Sequence, residues 1–211
     1  MAVSIKLQRT ETELFCSSKW WGDPDLPADM EYPVVQVTED GESFDYPLTF
    51  VCQIDCEDIA PLDPEGRLPH QGMFYVFAAI DEYLDYDAPY HNGPGEWARK
   101  MVVVKYTKAI NFETFRSAIL VDDEDRPLTQ PALKMTFEAC EDDADCTRLL
   151  GIGPESLPAG SGDGLLENFL QIVSGTAGLH FPDNGVLKLL YRQSDLAAGK
   201  WKLVHAHMAS R

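Results

Sequence analysis

The sequence predicts a β-rich α+β protein, and two observations support that prediction. Short runs of β-branched and aromatic residues recur along the 211-residue chain, bounded by Gly, Pro or Asp, which is typical of strands in mainly antiparallel sheets. Helical periodicity is confined to a few brief segments. The apolar content of 45% is sufficient for one substantial core, so we expect a single domain over residues 1–211.

Nine segments have the strand pattern, and the first of them, residues 3–7, alternates apolar and polar side chains as a half-buried strand does. The other eight are residues 34–37, 48–54, 73–80, 101–106, 133–137, 169–173, 186–191 and 201–205. Two short helices are predicted at residues 143–150 and 194–198, because each has a capping residue in front and a glycine behind.

The two halves of the chain repeat one order of features. Each half contains a proline-rich corner, a strand with a Gln-Ile pair, and a second apolar strand that begins after a glycine. In the first half these are residues 22–27, 48–55 and 72–77, and in the second half residues 153–158, 166–172 and 185–191. The shared order predicts two intertwined pseudo-repeats, approximately residues 17–110 and 147–207.

The same segments resemble a known family. The motifs SKWWGDPDLP, PLTFVCQIDCEDIA, LPHQGMFYVF, LLGIGPESLP, FLQIVSG and DNGVLKLLYRQSDL follow one another as in the YwqG-like family of bacterial proteins of unknown function. The resemblance covers almost the whole chain. It implies a mixed, β-rich fold with an internal pseudo-repeat, and it implies no known reaction, cofactor or catalytic residue.

The charge of the chain restricts its partners. Lys and Arg number 17 and Asp and Glu number 35, so the net charge is −18. Such a chain repels nucleic-acid phosphates and anionic lipid surfaces, so we expect neither nucleic acid nor membrane as a partner. An acidic surface instead suits a basic protein.

The five irregularly spaced cysteines are a poor disulfide framework, and no apolar run approaches the roughly 20 residues of a membrane helix. We therefore expect a cytoplasmic protein.

Trp20, Trp21 and Asp23 form the first candidate binding site, in the motif SKWWGDPDLP. The tryptophans supply an aromatic wall and Asp23 supplies negative charge. The alternative is a rigid corner, in which Gly22 permits the turn and the indoles cover the end of a sheet. We favour the corner, because the second half repeats it without the tryptophans.

Gln53 and Gln171 form the second candidate site. Each is flanked by apolar residues near the end of a strand, so each amide needs buried partners. The two amides are either a paired polar site across the pseudo-repeats or structural groups that each bond the backbone of the neighbouring repeat and fix how the halves join. We favour the structural role, which makes both residues markers of the seam between the halves.

The acidic loop at residues 81–87 is the third candidate site. Its tyrosines lie among carboxylates, a combination that suits an interface for a basic protein. The alternative is a solvated acidic face. The candidate residues are Asp81, Tyr83, Asp85, Tyr86 and Asp87.

We predict no catalytic residue, no cofactor and no metal site. His205 and His207 share one strand face, but two ligands do not make a site, so a solvent-facing strand edge is expected. The acidic runs at residues 122–125 and 141–143 lack the order of a calcium loop. A catalytic pair of Cys16 or Cys52 with a distant histidine stays open, although buried, inert thiols are the commoner outcome.

The favoured function is therefore a non-enzymatic protein-binding module, with an immunity-like role toward a basic partner as a special case. Two other classes stay open. One is a small hydrolase or ligand-binding enzyme, with its site in the cleft between the halves near Trp20, Gln53 and Gln171. The other is a structural calcium-binding accessory protein. The oligomeric state is not predicted.

Overall fold

One large sheet dominates the structure. A computed structural model describes residues 1–39, 41–109, 111–122, 124–152 and 166–210. Eleven antiparallel strands form a curled sheet, and four more strands form two separate pairs. The helices of these residues are short, and none has the length and apolar character needed to cross a membrane. The predicted β-rich fold with antiparallel sheets and a few short helices is confirmed.

The strands follow one another along the described chain with few helices between them. They are β1 (Ala2–Arg9), β2 (Lys19–Trp20), β3 (Asp25–Pro27), β4 (Val34–Glu39), β5 (Glu42–Pro47), β6 (Thr49–Asp55), β7 (Met73–Ala78), β8 (Gly95–Glu96), β9 (Val102–Thr107), β10 (Phe115–Ser117), β11 (Leu133–Cys140), β12 (Arg148–Leu149), β13 (Leu166–Val173), β14 (Val186–Arg192) and β15 (His205–Ala209). The α-helices are α1 (Cys56–Ile59) and α2 (Gln193–Ala197). The 3-10 helices are Ala60–Leu62, Asp81–Leu84, Arg99–Met101, Phe112–Thr114, Thr176–Gly178, Pro182–Asn184 and Trp201–Leu203.

The predicted elements match these bounds with two exceptions. The first eight predicted strands overlap observed strands, and the helix predicted at residues 194–198 is α2. The ninth predicted strand is wrong in its first part, because residues 201–203 form a 3-10 helix and β15 begins at His205. The helix predicted at residues 143–150 is wrong. Its last residues form β12, which pairs with strands on both sides, and this pairing overrides a weak helical propensity.

The large sheet extends on both sides of a long pair, β1 and β11, with five strands beyond β1 and four beyond β11. Its strand order is β8-β15-β14-β13-β12-β1-β11-β2-β6-β7-β9. At the centre, β1 pairs with β11 from Ala2 opposite Cys140 to Arg9 opposite Leu133. On its other side, β1 joins β12 of the second half, whereas β11 joins β2 of the first half. The pair of β1 and β11, which lies outside both predicted pseudo-repeats, therefore connects the strands of the two halves within one sheet.

Equivalent contacts occur at the corner of each half. The Trp21 amide donates to the Val51 carbonyl at 2.9 Å, and the Leu150 amide donates to the Phe169 carbonyl at 3.1 Å. Trp21 and Leu150 both have a left-handed backbone, with φ of 60° and 59°. The register of β6 and of β13 shifts at these acceptors. The contacts support the predicted duplication, which itself stays a prediction, and the second proline corner at residues 153–158 lies outside the described residues.

Strand β7 is buried on both faces and separates two hydrophobic clusters. Phe74 belongs to the larger cluster, which fills the curl of the sheet. Tyr75 belongs to the second cluster, together with Val35 of β4 and Phe115 of β10. Burial on both faces explains why β7 is a continuous apolar run without alternation. The second cluster holds the β4–β5 hairpin and the β3–β10 pair against the large sheet.

Gly22 provides the first test of this architecture. Its φ is +74°, and a Cβ atom built there would lie 2.8 Å from the Cβ of Ala132. Gly41 is a matched control, since its φ is +86° and no atom lies within 4 Å of such a Cβ. We expect Gly41→Ala to cost about 1 kcal/mol through its left-handed backbone. Gly22→Ala should cost about 1–3 kcal/mol more through overpacking. Urea denaturation measures both losses, and equal losses would contradict the close approach.

Candidate functional site

Gln53 lies in a buried network around the carboxylate of Asp25. Asp25 Oδ2 accepts hydrogen bonds from Lys19 Nζ at 2.7 Å and from Gln53 Nε2 at 2.8 Å. The Cys16 amide donates to the same oxygen at 2.8 Å, and Ser117 Oγ donates to Oδ1 at 2.6 Å. Lys19, Asp25 and Gln53 are all at most 5% exposed. The two buried charges therefore neutralise each other, as a stable interior ion pair requires.

The Gln53 amide finds its remaining partners in the backbone. Its Oε1 accepts from the Asp25 amide at 2.9 Å, and its Nε2 also donates to the Ser17 carbonyl at 3.0 Å. These bonds join β6 to the corner that precedes β3. The geometry supports a structural role for Gln53, but its partners Ser17 and Asp25 belong to the same half of the chain. The predicted bond to the neighbouring repeat is therefore wrong for Gln53, because β6 pairs with β2 of its own half.

Gln171 forms the same kind of hydrogen bond as Gln53, but its strand lies in another part of the sheet. Its Nε2 donates to the Cys146 carbonyl at 3.0 Å, as Gln53 does to Ser17. Strands β12, β1, β11 and β2 separate its strand from that of Gln53 in the sheet. Gln171 lines a separate groove, whereas Gln53 is fully buried. The structure thus does not bring Trp20, Gln53 and Gln171 into one cleft.

The two tryptophans of the corner have different environments. Trp20 is 0% exposed and belongs to the larger cluster. Trp21 packs edge to face against it, with 5.7 Å between ring centroids, and its Nε1 donates to the Ala177 carbonyl. The Gly22 amide donates to the Gln130 carbonyl at 2.9 Å, which holds the corner against a distant loop. Trp20 is a core residue, whereas Trp21 also lines a cavity.

This cavity has a volume of about 420 Å³. Its lining is largely aromatic and aliphatic, with Asp81 and Asp87 as its acidic residues. The lining residues are Trp21, Gly22, Tyr32, Tyr46, Pro47, Leu48, Thr49, Phe50, Asp81, Leu84, Tyr86, Asp87, Leu120, Pro127, Leu128, Thr129 and Gln130. An apolar pocket with a few convergent polar groups is typical of a binding site. The cavity brings Trp21 of the first candidate site together with Asp81, Tyr86 and Asp87 of the third.

Asp81 is the buried charge in this lining, and its side chain is held by three hydroxyl groups. The residue is 7% exposed. Its Oδ2 accepts from the hydroxyls of Tyr46 and Tyr90 at 2.9 Å each, and its Oδ1 accepts from Thr49 Oγ1. Asp25 has the counter-ion Lys19, but no basic side chain of the described residues forms an ion pair with Asp81.

The tyrosines around Asp81 act as hydrogen-bond donors. Burial raises the pKa of Tyr46 and Tyr90 well above the usual range, and the negative charge of Asp81 raises each pKa further. Burial also raises the pKa of Tyr32, whose hydroxyl donates to the Leu48 carbonyl at 2.8 Å. These phenols therefore stay protonated at neutral pH, and none of them is a suitable general base.

Three exposed apolar side chains lie at this cavity, and we call them the apolar rim: Tyr86, Val121 and Leu128. They are 46%, 45% and 53% exposed. Tyr86 and Leu128 line the cavity, and Val121 forms a β-bridge with Pro127, which also lines it. Gln130 Nε2 donates to the Tyr86 hydroxyl. A group of exposed apolar side chains is typical of an interaction surface.

The predicted acidic loop is divided between surface and interior. Asp85 and Asp87 are exposed, and Asp85 ends the 3-10 helix Asp81–Leu84 with a left-handed backbone. Tyr83 is instead a core residue. It is 4% exposed and stacks on Trp97, with 6.1 Å between ring centroids. Tyr83 therefore does not belong to the surface on which its neighbours lie.

Asp23 does not line the cavity. It lines a neighbouring groove together with Thr129, whose Oγ1 donates to Asp23 Oδ1 at 3.2 Å. Thr129 also lines the cavity, so Asp23 lies one residue away from it.

Several residues of the site were not predicted from the sequence, above all Tyr46, Thr49 and the lining residues Leu120 and 127–130. One signal was present. Thr49 begins β6 opposite Ala78, which ends β7. Adjacent antiparallel strands therefore bring Thr49 to the sheet end from which the chain continues to Asp81. The contribution of Leu120 and of residues 127–130 depends on long-range packing and has no local signal.

Metal ligands are not grouped in the described part of the chain, where no three His, Cys, Asp or Glu side chains lie close enough to hold an ion. The acidic run at residues 122–125 includes residue 123, which lies outside that part.

The predicted solvent-facing edge is wrong for His205, which is buried because β15 pairs with β14 and β8. Its Nδ1 lies 3.6 Å from Glu96 Oε1. Burial lowers the pKa of His207.

Removal of Asp25 tests the buried network. Asp25→Ala leaves the Lys19 ammonium buried without its counter-ion, so we expect a loss of about 3–5 kcal/mol in the free energy of unfolding. Asp23→Ala is the matched control in the same corner, and we expect it to change stability by about 0.5 kcal/mol or less. Urea denaturation compares the two variants. Similar losses would contradict the role of the Lys19–Asp25 pair.

The buried thiols provide a test of the open cysteine hypothesis. Burial raises the pKa of Cys16 and Cys56 to about 12, and it raises the pKa of Cys52 still further. We expect iodoacetamide at about pH 8 to modify the native protein at Cys140 and Cys146, which are partly exposed, and not at the other three. Peptide mass spectrometry locates the labels. Rapid native labelling of Cys16 or Cys52 would favour a thiol nucleophile.

A family model described as a domain of unknown function (DUF1963) matches residues 18–150. The matched segment contains every residue that lines the cavity. No curated protein matches the chain. The match agrees with an uncharacterised family, and it does not confirm the YwqG-like resemblance.

Proposed function

The chain belongs to the DUF1963 family of unknown function, and from the geometry of its site we propose that it is a non-enzymatic protein-binding module. One observation carries the proposal: exposed apolar side chains lie around an aromatic cavity that contains a buried carboxylate. The partner is a basic protein, and the apolar rim with the cavity is its docking surface.

The apolar rim and the cavity together have the arrangement of a protein interface. Binding energy in such interfaces is concentrated in a few anchors that enter well-packed pockets, surrounded by side chains that exclude water. The cavity offers such a pocket, and Tyr86 and Leu128 are placed to surround an anchor. Tyrosine is among the residues enriched in interfaces, because it adds contact area at a small entropic cost.

The charges around the cavity favour a basic partner. Asp85 and Asp87 are exposed beside Tyr86, on a chain whose net charge is −18. Complementary charge accelerates association and excludes acidic competitors. The same argument predicts that association slows as the salt concentration rises.

The chemical content of the cavity supports binding over catalysis. Among the described residues, the lining contains no Ser, Cys, His or Lys, so it offers no thiol or amine nucleophile and no imidazole base; Thr49, whose hydroxyl donates to Asp81, is the nucleophile that an enzyme would use here. The acid in the buried position, Asp81, is already held by three hydroxyl donors. A ligand-binding enzyme is the second candidate, because the cavity volume falls within the range of about 300–1,000 Å³ of small-molecule sites.

Affinity capture from cells of the natural host tests the proposal. The wild type is compared with Asp85→Lys/Asp87→Lys, which reverses charge beside the cavity. Glu138→Lys/Glu141→Lys is the matched control, since it changes the net charge equally at exposed positions outside the cavity lining. We expect one basic protein to be retained by the wild type and the control, and to be lost from the Asp85/Asp87 variant.

A second variant separates apolar contact from charge. Leu128→Asp removes apolar area from the rim while it increases the negative charge. We expect it to lose the same protein, although it is more acidic than the wild type. If the Asp85/Asp87 variant and its control retain that protein equally, or if Leu128→Asp retains it fully, the proposed docking surface is wrong.

A further inference from the structure

We infer that the cavity receives a lysine side chain of the protein partner, with its ammonium group on Asp81 Oδ1. The inference rests on the proposed function, since it names what enters the same site. It is argued from the charge of the lining, from the hydrogen bonds that Asp81 already accepts, and from the aromatic walls.

Among the described residues, the cavity has negative charge without a counter-ion. The lining residues that the structure describes include no Lys, Arg or His, and both acidic residues among them are aspartates. Within this same chain the buried Asp25 has Lys19 at 2.7 Å. Asp81 is nearly as buried, yet in the described residues it has only neutral hydroxyl donors. A buried carboxylate is stabilised most by a cationic donor, so a cation is the complementary occupant.

The hydrogen bonds of Asp81 favour lysine over arginine. A carboxylate has about four lone-pair positions, two on each oxygen. Tyr46 and Tyr90 occupy both positions of Oδ2, and Thr49 occupies one position of Oδ1. One position therefore remains, on Oδ1. An arginine fork needs one position on each oxygen, whereas an ammonium group needs only one.

The walls of the cavity suit the rest of a lysine side chain. Trp21, Tyr32, Tyr46 and Tyr86 line it together with Asp81, and the Tyr46 hydroxyl donates to that carboxylate. Lysine packs its aliphatic stem along apolar surface while its charged end reaches a polar group. Aromatic rings also attract an ammonium group directly. The cavity therefore offers both an apolar passage and an anionic end point.

The first experiment titrates the full-length protein with three tripeptides that have blocked ends and differ in the central residue. The central residue is lysine, arginine or norleucine, which has the apolar stem without the charge. NMR follows the indole Nε1–H signal of Trp21, with the signal of Trp201, which does not line the cavity, as internal control. We expect the lysine peptide to bind about tenfold more tightly than either of the others, the effect of one charge-assisted hydrogen bond.

Two variants test the role of Asp81. Asp81→Asn removes the charge with little change of shape, and we expect it to weaken the lysine peptide about tenfold. Tyr90→Phe removes one donor to Oδ2 and so frees the position that a guanidinium needs. We expect Tyr90→Phe to raise the affinity for the arginine peptide relative to the lysine peptide about fivefold, the worth of one added hydrogen bond. Circular dichroism and thermal melting confirm that each variant is folded.

The outcomes decide the inference whether or not a variant folds, because the comparison of the three peptides needs only the wild type. Equal binding of the lysine and norleucine peptides, or tighter binding of the arginine peptide, would overturn it. Cadaverine is a further probe, and if it binds more tightly than the lysine peptide, the site belongs to a free amine instead of a protein side chain.

The inference and the proposed function fail in different ways. If the lysine peptide shows no preference while the Asp85/Asp87 variant still loses its captured protein, the docking surface stands and the lysine assignment is wrong. If the lysine preference is found but capture does not depend on the docking surface, the cavity binds an ammonium group and the protein-binding function is wrong.

Discussion

Lys19 and Asp25 form a buried ion pair across the corner that contains Trp21, and the candidate site depends on this pair. Lys19 belongs to β2 and Asp25 begins β3, so their contact closes the chain between the two strands. Gln53 adds the link to β6. The left-handed backbone at Trp21 is held within this closed corner, and it places the indole at the cavity. The polar network in the interior thus positions an aromatic wall at the surface.

Asp25 and Asp81 differ in the partners of their carboxylates. Both are buried and both accept several hydrogen bonds, but Asp25 has an internal cation and Asp81 lines an open cavity. Removing either charge from water is costly, and within the described residues Asp25 is paired with an ammonium group whereas Asp81 has hydroxyl donors. The proposed basic partner would supply the cation that Asp81 does not find within these residues.

The fold could be predicted from local patterns to a large extent. The burial of a strand is visible in its own sequence. It predicts β1 as an alternation of apolar and polar residues and β7 as a continuous apolar run. The predicted helix at residues 143–150 shows the limit of this approach. Its cap and glycine were present, but Arg148 and Leu149 pair with two strands that are distant in the chain. The same limit applied to Tyr83, whose acidic neighbours suggested a surface although its ring stacks on Trp97.

The sequence by itself determined most of the longer strands and the acidic charge, because each of these follows from a residue and its near neighbours. Only the tertiary structure decided that Trp21 and Asp81 share a cavity with Leu120 and residues 127–130, and that Gln53 and Trp20 do not line it. The physical reason is that a cavity exists only where elements distant in the chain pack incompletely. That packing depends on strand pairing and on buried contacts between segments, which no single stretch of sequence contains.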